Sequence, residues 1–319
     1  MEKSKVSLKT LADELNLSMT TISRALRDCS DIGEKTKKIV REKALELGYI
    51  PDSSARSLAV GKTRTIALVI DNLSSPYFSL IVEKMISQLK KANYRSFLIL
   101  CEKNNLSRDE IEECIYMKVD AIITFLVPND DAILLAKNTN VPVLLFGRND
   151  DRGYLYCYSS NDFEGGQIAS KYLINEKCKK LLYVSIPDIT CSKYRSDGFV
   201  SFAEKYDNVE TQIVDHEHFF ADYEGFIREG FDGYFFFDDA IGVKFLNYIN
   251  KNHPSYKAKI IGFNAIGKYI DHQYNLTSIA TDFDLMVEEA ITSLIRDLET
   301  NYVKPINKVY PVFLHKGEN

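Results

Sequence analysis

The 319-residue sequence contains no apolar run approaching the 18 or more residues that cross a bilayer. Its opening, MEKSKVSLKT, carries charge with no apolar core behind it, so no secretory leader is expected and the protein reads as cytoplasmic. Among six cysteines (Cys29, Cys101, Cys114, Cys157, Cys178, Cys191) there is no C-x-x-C pair, which excludes a zinc ribbon and a dithiol redox motif. They read as small buried hydrophobes in a reducing compartment. There is no G-x-S-x-G elbow and no Cys/His constellation, and only five histidines are present. His216-Glu217-His218 has metal-ligand residue types but no third ligand at useful spacing, and its alternation suits a strand or loop surface. The run from Gly262 to Lys268 spells G-x-x-x-x-G-K after a strand-like segment, but Tyr269 replaces the Ser or Thr that would hold magnesium, so it reads as accidental. No catalytic residue, metal or cofactor is expected, and the chain is not read as an enzyme.

What is present is 45% hydrophobic content, enough for a large core plus a smaller module. The net charge of −5 conceals a split: the first 64 residues hold 13 Lys and Arg against 9 Asp and Glu, and the rest is strongly acidic. A basic head on an acidic body suits nucleic-acid contact through the head alone.

The head reads as three short helices. Ser7 is placed to cap the first, whose Leu8, Leu11, Ala12 and Leu15 share one face. After Asn16-Leu17, Ser18 caps a second with Thr21, Ile22, Ala25 and Leu26. The third starts near Glu34, turns Ile39, Val40, Ala44 and Leu47 inward, and stops at Gly48. Two helices across a tight turn with a third packed on them make a helix-turn-helix module. Pro51 to Lys62 is helix-compatible but under the roughly 12–15 residues an isolated helix needs, so it is expected to fold only against a partner.

From Thr65 onward short apolar runs (65–70, 96–100, 121–125, 141–146, 181–185, 234–237, 259–263) alternate with amphipathic segments such as 76–93, 108–118, 163–176, 193–206, 240–252 and 284–299. That alternation predicts an α/β fold of parallel sheets covered on both faces, here two doubly wound lobes. A ligand would lie between them, at the carboxyl ends of the strands. The domains are drawn at 1–50 for the head, 51–64 for the hinge and linker, and 65–319 for a two-lobed sensor. Asn72, Tyr77 and Phe78 follow the first sensor strand, while Arg148, Asp238 and Asn264 each follow a later one, so all are candidates for that cleft.

The stretch V-S-L-K-T-L-A-D-E-L-N-L-S-M-T-T-I-S-R-A-L-R-D (Val6 to Asp28) resembles the signature of the lactose- and purine-repressor (LacI/GalR) family of regulators. So do G-Y-I-P-D-S-S-A-R-S-L-A-V-G-K-T (Gly48 to Thr63), S-S-P-Y-F (Ser74 to Phe78), Arg195-x-x-Gly198-Phe199 and N-L-T-S-I-A-T-D-F (Asn275 to Phe283), in the family's order. The resemblance implies a periplasmic-binding-protein type of sensor and a repressor controlled by a small molecule, a carbohydrate such as a sugar or sugar phosphate, or a nucleobase-like compound. It implies that the second helix enters the major groove, Met19, Thr20 and Arg24 meeting bases. Ser7, Ser18, Thr21, Ser23, Thr36 and Arg27 are then candidates for phosphates, although the hydroxyls of Ser7, Ser18 and Thr36 equally suit helix caps. Leu58 is implied to wedge the minor groove against its counterpart in a second chain, with Ala55 allowing close approach and Arg56 at the backbone; the alternative is a leucine docked on its own sensor.

In the sensor, Arg195 resembles the family's effector-contacting arginine, and Phe220 stands where an aromatic stacks on a ring. An ordinary reading stays open for each candidate: an aspartate capping a helix, an arginine in a surface pair, an aromatic in the core. The sequence departs from sugar-binding members at Gly147 and Asn264, where aspartates are common, and the stretch Asp238 to Gly242 is about two residues short. A homodimer on a near-palindromic double-stranded DNA operator is expected, without membrane contact. The five residues after Leu314 leave no room for a tetramerising heptad bundle. A sugar-binding protein of periplasmic type is the alternative that residues 1–64 argue against, and a regulator controlled by a protein partner is not excluded.

Overall fold

The structure is a computed structural model that describes residues 6–50, 61–102, 105–150, 152–153, 155–270, 276–300, 302 and 304–317. Ala55, Arg56 and Leu58 lie outside the described residues. Residues 1–63 and 64–319 form two compact units.

In the first unit the helices are α1 (Leu8–Leu15), α2 (Met19–Leu26) and α3 (Glu34–Leu47). The Ser7 hydroxyl accepts from the Thr10 amide, and Thr10 answers with its own side chain on the Ser7 amide, closing a capping box. Asn16, at φ 49°, ends α1 in the left-handed conformation, and Gly48, at φ 67°, ends α3 the same way. The core is small: Leu11, Ala12, Ile22, Ala25, Val40 and Ala44. Ile39 does not join it, being exposed on the outer side of α3. Lys37, one turn before Val40 and two before Ala44, is buried instead, with its ammonium turned out to Glu34 and Asp28.

The second unit has two lobes. The first contains β1 (Thr65–Ile70), α4 (Pro76–Lys91), β2 (Arg95–Leu100), α5 (Arg108–Tyr116), β3 (Ala121–Thr124), α6 (Asp130–Asn138), β4 (Val143–Phe146) and β5 (Tyr156–Ser160). The chain then crosses to build α7 (Asp162–Asn175), β6 (Lys180–Ser185), α8 (Thr190–Ala203), β7 (Glu210–Asp215), α9 (His216–Ala221), α10 (Tyr223–Arg228), β8 (Gly233–Phe236), α11 (Asp239–Asn252), β9 (Lys259–Phe263), α12 (Gly267–Ile270) and β10 (Ser278–Ala280). It returns to the first lobe for α13 (Phe283–Thr300) and β11 (Asn307–Tyr310), and crosses a third time for β12 (Phe313–His315).

The first sheet runs β2-β1-β3-β4-β5-β11, parallel throughout, and the second β7-β6-β8-β9-β10-β12, with only the last pair antiparallel. Apart from 96–100, which becomes edge strand β2, the apolar runs form central strands buried on both faces: Ile66, Leu68 and Ile70 of β1 enter one core cluster, Ala67 and Val69 the other. The apolar stretch Val309 to Leu314 is divided between two strands in different sheets. Pro311 lies in the break, where the chain passes between lobes. Edge strands β2 and β7 are half exposed; Phe97, Leu98 and Leu100 of β2 face outward beyond its single partner β1.

Helices α7 and α8 lie backbone to backbone. A Cβ on Gly166 would fall 2.0 Å from the Arg195 carbonyl oxygen, and one on Gly198 1.9 Å from that of Phe163. The R-x-x-G-F signature therefore includes a packing requirement: its glycine sits where no side chain fits.

Candidate nucleic-acid interface and interlobe cleft

Helix α2 turns Ile22 and Ala25 into the head core and leaves the opposite face open. Met19, half exposed at 51%, and Thr20 stand on that open face, and Arg24 is partly exposed. Ser18 caps the helix, its hydroxyl 3.0 Å from the Thr21 amide and 2.9 Å from the Thr21 hydroxyl. The Arg24 guanidinium meets Asp31 at 2.7 Å, and the Asp31 hydrogen bond raises its already high pKa. Arg27 Nε donates to the Ser23 carbonyl at 3.1 Å. Helix α3 has no side-chain cap at Gly33, so half-buried Thr36 does not perform that job. Ser7 and Ser18 do cap, and both are exposed enough for a second contact.

In the sensor the candidates separate. Arg195, on α8, is buried: Nε donates to the Asp162 carboxylate at 2.8 Å and Nη1 to the Phe237 carbonyl at 2.5 Å. Its guanidinium carbon lies 3.4 Å from the Phe263 ring centre and 4.7 Å from that of Phe237. Burial works to lower the arginine's pKa, but the facing Asp162 carboxylate outweighs it; the same burial raises the Asp162 pKa although Arg195 pulls it down, and the hydrogen bond between them locks the pair in place. Arg148, after β4, crosses to the other lobe, where Nη1 lies 2.6 Å from Cys191 Sγ on α8. Burial pushes the Tyr77 phenol up, although Arg148 and Arg195 pull it down. Gly147, at φ 72°, keeps this corner open: a Cβ there would sit 3.1 Å from the Tyr77 hydroxyl.

Phe78 packs edge-on to Phe125 in the first-lobe core. Asp238 caps α11, Oδ1 accepting from the Ile241 amide at 2.9 Å, and burial raises its pKa. Phe220, on α9, meets His216 edge-on and carries the Lys244 ammonium over its ring. Asn264 is buried at φ 91°, its amide on the Ile279 carbonyl. Asn72 is not brought into the cluster: it is exposed, its carboxamide closing a turn on the Ser74 amide. A cavity of about 190 Å³ beside the crossovers is lined by Asn149, Asp162, Phe163 and Tyr194 among others. A larger one, about 480 Å³, lies on the flank of α13 and β11, away from the strand ends.

The sequence reading missed Asp162, Cys191, Phe237 and Phe263, and it missed Asp239. This last carboxylate accepts from the Ile266 and Gly267 amides and the Ser278 hydroxyl, and burial pushes it up to about 7. The amides that a phosphate-binding loop would offer a ligand are thus taken by an internal carboxylate. His216 and His218 lie on α9 behind the Asp215 cap, not on a strand or loop. Among the described residues no cluster of His, Cys, Asp and Glu is arranged for a metal, and no helix is long and apolar enough to cross a membrane.

Head and two crossed lobes together define a helix-turn-helix protein with a binding unit of the periplasmic-binding-protein type. A family profile described as periplasmic binding proteins and sugar binding domain of LacI family matches residues 63–215. The HTH-type transcriptional repressor PurR of Pasteurella multocida is 28% identical over 198 residues, a match that covers 61% of this chain and 59% of that one. The sucrose operon repressor of Lactococcus lactis is 26% identical over 325 residues, 98% of this chain and 99% of that one. In fold, the lac repressor dimer bound to operator and the anti-inducer ONPF aligns with a TM-score of 0.83 at 19% identity, over 99% of both chains. The chain is thus similar in sequence to LacI-family transcriptional repressors and shares the fold of the lac repressor.

Proposed function

We propose that this chain represses transcription in the cytoplasm as a homodimer on a near-palindromic double-stranded DNA operator, released or retained according to a small molecule held between the lobes. Residues 1–50 read the DNA, 51–64 form the hinge, and 65–319 bind the effector and pair the chains. The observation that carries the reading is the outward face of α2, where Met19, Thr20 and Arg24 have no core role. An arginine fork on guanine contributes roughly 1–3 kcal/mol of discrimination. Its exposed ion pair with Asp31 is worth less and can be exchanged. Pairing is supported by the exposed apolar side chains of edge strand β2, Leu98 and Leu100 on one face and Phe97 on the other, with Ile86 of neighbouring α4. Apolar side chains along an edge strand with one partner among the described residues invite a second chain.

The effector class carried over from the relatives is a carbohydrate or nucleobase-like compound. A ligand that favours one lobe arrangement by about 1–3 kcal/mol suffices as a switch. The test is selection of binding sites from random DNA with the full chain, repeated with Arg24→Ala and Leu58→Ala. The expected result is a near-palindrome whose preference relaxes at one base per half-site in the first variant and whose bending is lost in the second. Selection of no consensus sequence would overturn the reading.

A further inference from the structure

Two arginines reach the space between the lobes, and among the described residues only Arg195 is in ion-pair contact with a carboxylate. Arg195 spends its charge on Asp162 and its remaining faces on Phe237 and Phe263. Asp238, the other carboxylate near Arg195, is occupied as the cap of α11. Arg148 has no carboxylate within ion-pair distance among the described residues; its partners are the Gly147 carbonyl, at 3.5 Å, and the Cys191 sulfur. A thiol is a weak acceptor and a guanidinium stays charged at any physiological pH. Burial pushes the Cys191 thiol up more than Arg148 pulls it down, so the sulfur stays protonated and does not balance the charge. The position beside Arg148 that could have supplied a carboxylate is Gly147, and a side chain there would press on the Tyr77 hydroxyl.

On the reading that the cleft holds the effector, we infer that this effector is an anion, a phosphate ester or a carboxylate, whose acidic group seats on Arg148 with the Tyr77 hydroxyl beside it. Arg195 then acts as a positioning residue. Its lock on Asp162 holds α8 against the start of α7, and α8 carries the Cys191 that now occupies the seat. A bidentate fork suits either oxyanion, and a neutral ligand would leave a partly buried charge unmatched.

The probes are inorganic phosphate and acetate against chloride at matched ionic strength, and the pairs ribose with ribose 5-phosphate and glucose with glucose 6-phosphate. Thermal unfolding of the full chain is followed in the parent, Arg148→Gln and Arg148→Lys. The expected result is that phosphate raises the parent midpoint above chloride, and that a phosphorylated sugar binds at least about tenfold tighter than its neutral partner. That advantage disappears in Arg148→Gln and survives in part in Arg148→Lys, a retention that loss of folding would not produce. An acetate effect equal to that of phosphate keeps the seat and assigns it to a carboxylate. No advantage of either anion over chloride in the parent, or the same advantage in Arg148→Gln, overturns the inference. Phosphate that seats through Arg148 yet leaves operator affinity unchanged supports the seat and counts against the effector reading alone.

Discussion

The head wears its polar side chains on the outside of a six-residue core, while the sensor draws one charged pair, Arg195 with Asp162, deep inside. In the head, Arg24 and Asp31 meet at 2.7 Å with 43% and 50% of their side chains exposed, so water can replace either partner. In the sensor, Arg195 and Asp162 meet at 2.8 Å with 6% and 5% exposed. The same two residue types thus form a removable contact in one unit and a structural bolt in the other. Water access decides which, because the cost of an unpaired charge rises steeply as water is excluded.

Substitutions on the two sides should separate accordingly. Arg195→Ala strands a buried carboxylate and is expected to cost the sensor about 3–5 kcal/mol, read by chemical denaturation. A loss under 1 kcal/mol would make the pair ordinary. Ile22→Ala empties the centre of the head core and is expected to cost about 2–5 kcal/mol there. Because the six-residue core has little to spare, amide exchange should show the head open while the sensor's midpoint holds.

Ser18→Ala removes a cap and should cost roughly 1 kcal/mol, with operator affinity falling further if the hydroxyl also meets a phosphate. Asp239→Asn tests burial in the sensor by pH. A carboxyl held at about 7 when folded keeps a proton that the unfolded chain releases near 4. Its stabilising contribution is complete below that lower value and declines as pH rises to about 7. The parent's advantage over the variant should shrink across that window, and a constant difference would show Asp239 ionised throughout. Smallest is Arg24→Ala, which should change head stability by under about 1 kcal/mol, since an exposed ion pair is worth little.

The head was legible because its determinants are local. Ser7 and Ser18 cap helices three residues away, and the buried positions recur at helical spacing. Ile39 was misplaced: the inward row of α3 runs through Lys37, Val40 and Ala44, and Ile39 falls on the solvent side of it. The central strands were legible as apolar runs. Edge strand β7, with Glu210, Thr211 and Gln212, and three-residue β10 gave no such run. The cleft was the least visible. Asp162 precedes Arg195 by 33 positions and Cys191 follows Arg148 by 43, and no periodicity links residues across two lobes. The candidate arginines were found, but their contrasting partners were not.

The third crossover has a consequence for synthesis. Strand β11 completes the first sheet and β12 the second, and both lie beyond residue 306. During translation, therefore, neither lobe can finish its sheet until the ribosome has delivered almost the last of the residues described, and each waits with an open edge. A premature stop near position 305 would spoil both lobes at once. The nascent chain needs protection from aggregation for nearly the whole of its elongation, although the three-helix head emerges first and can fold early.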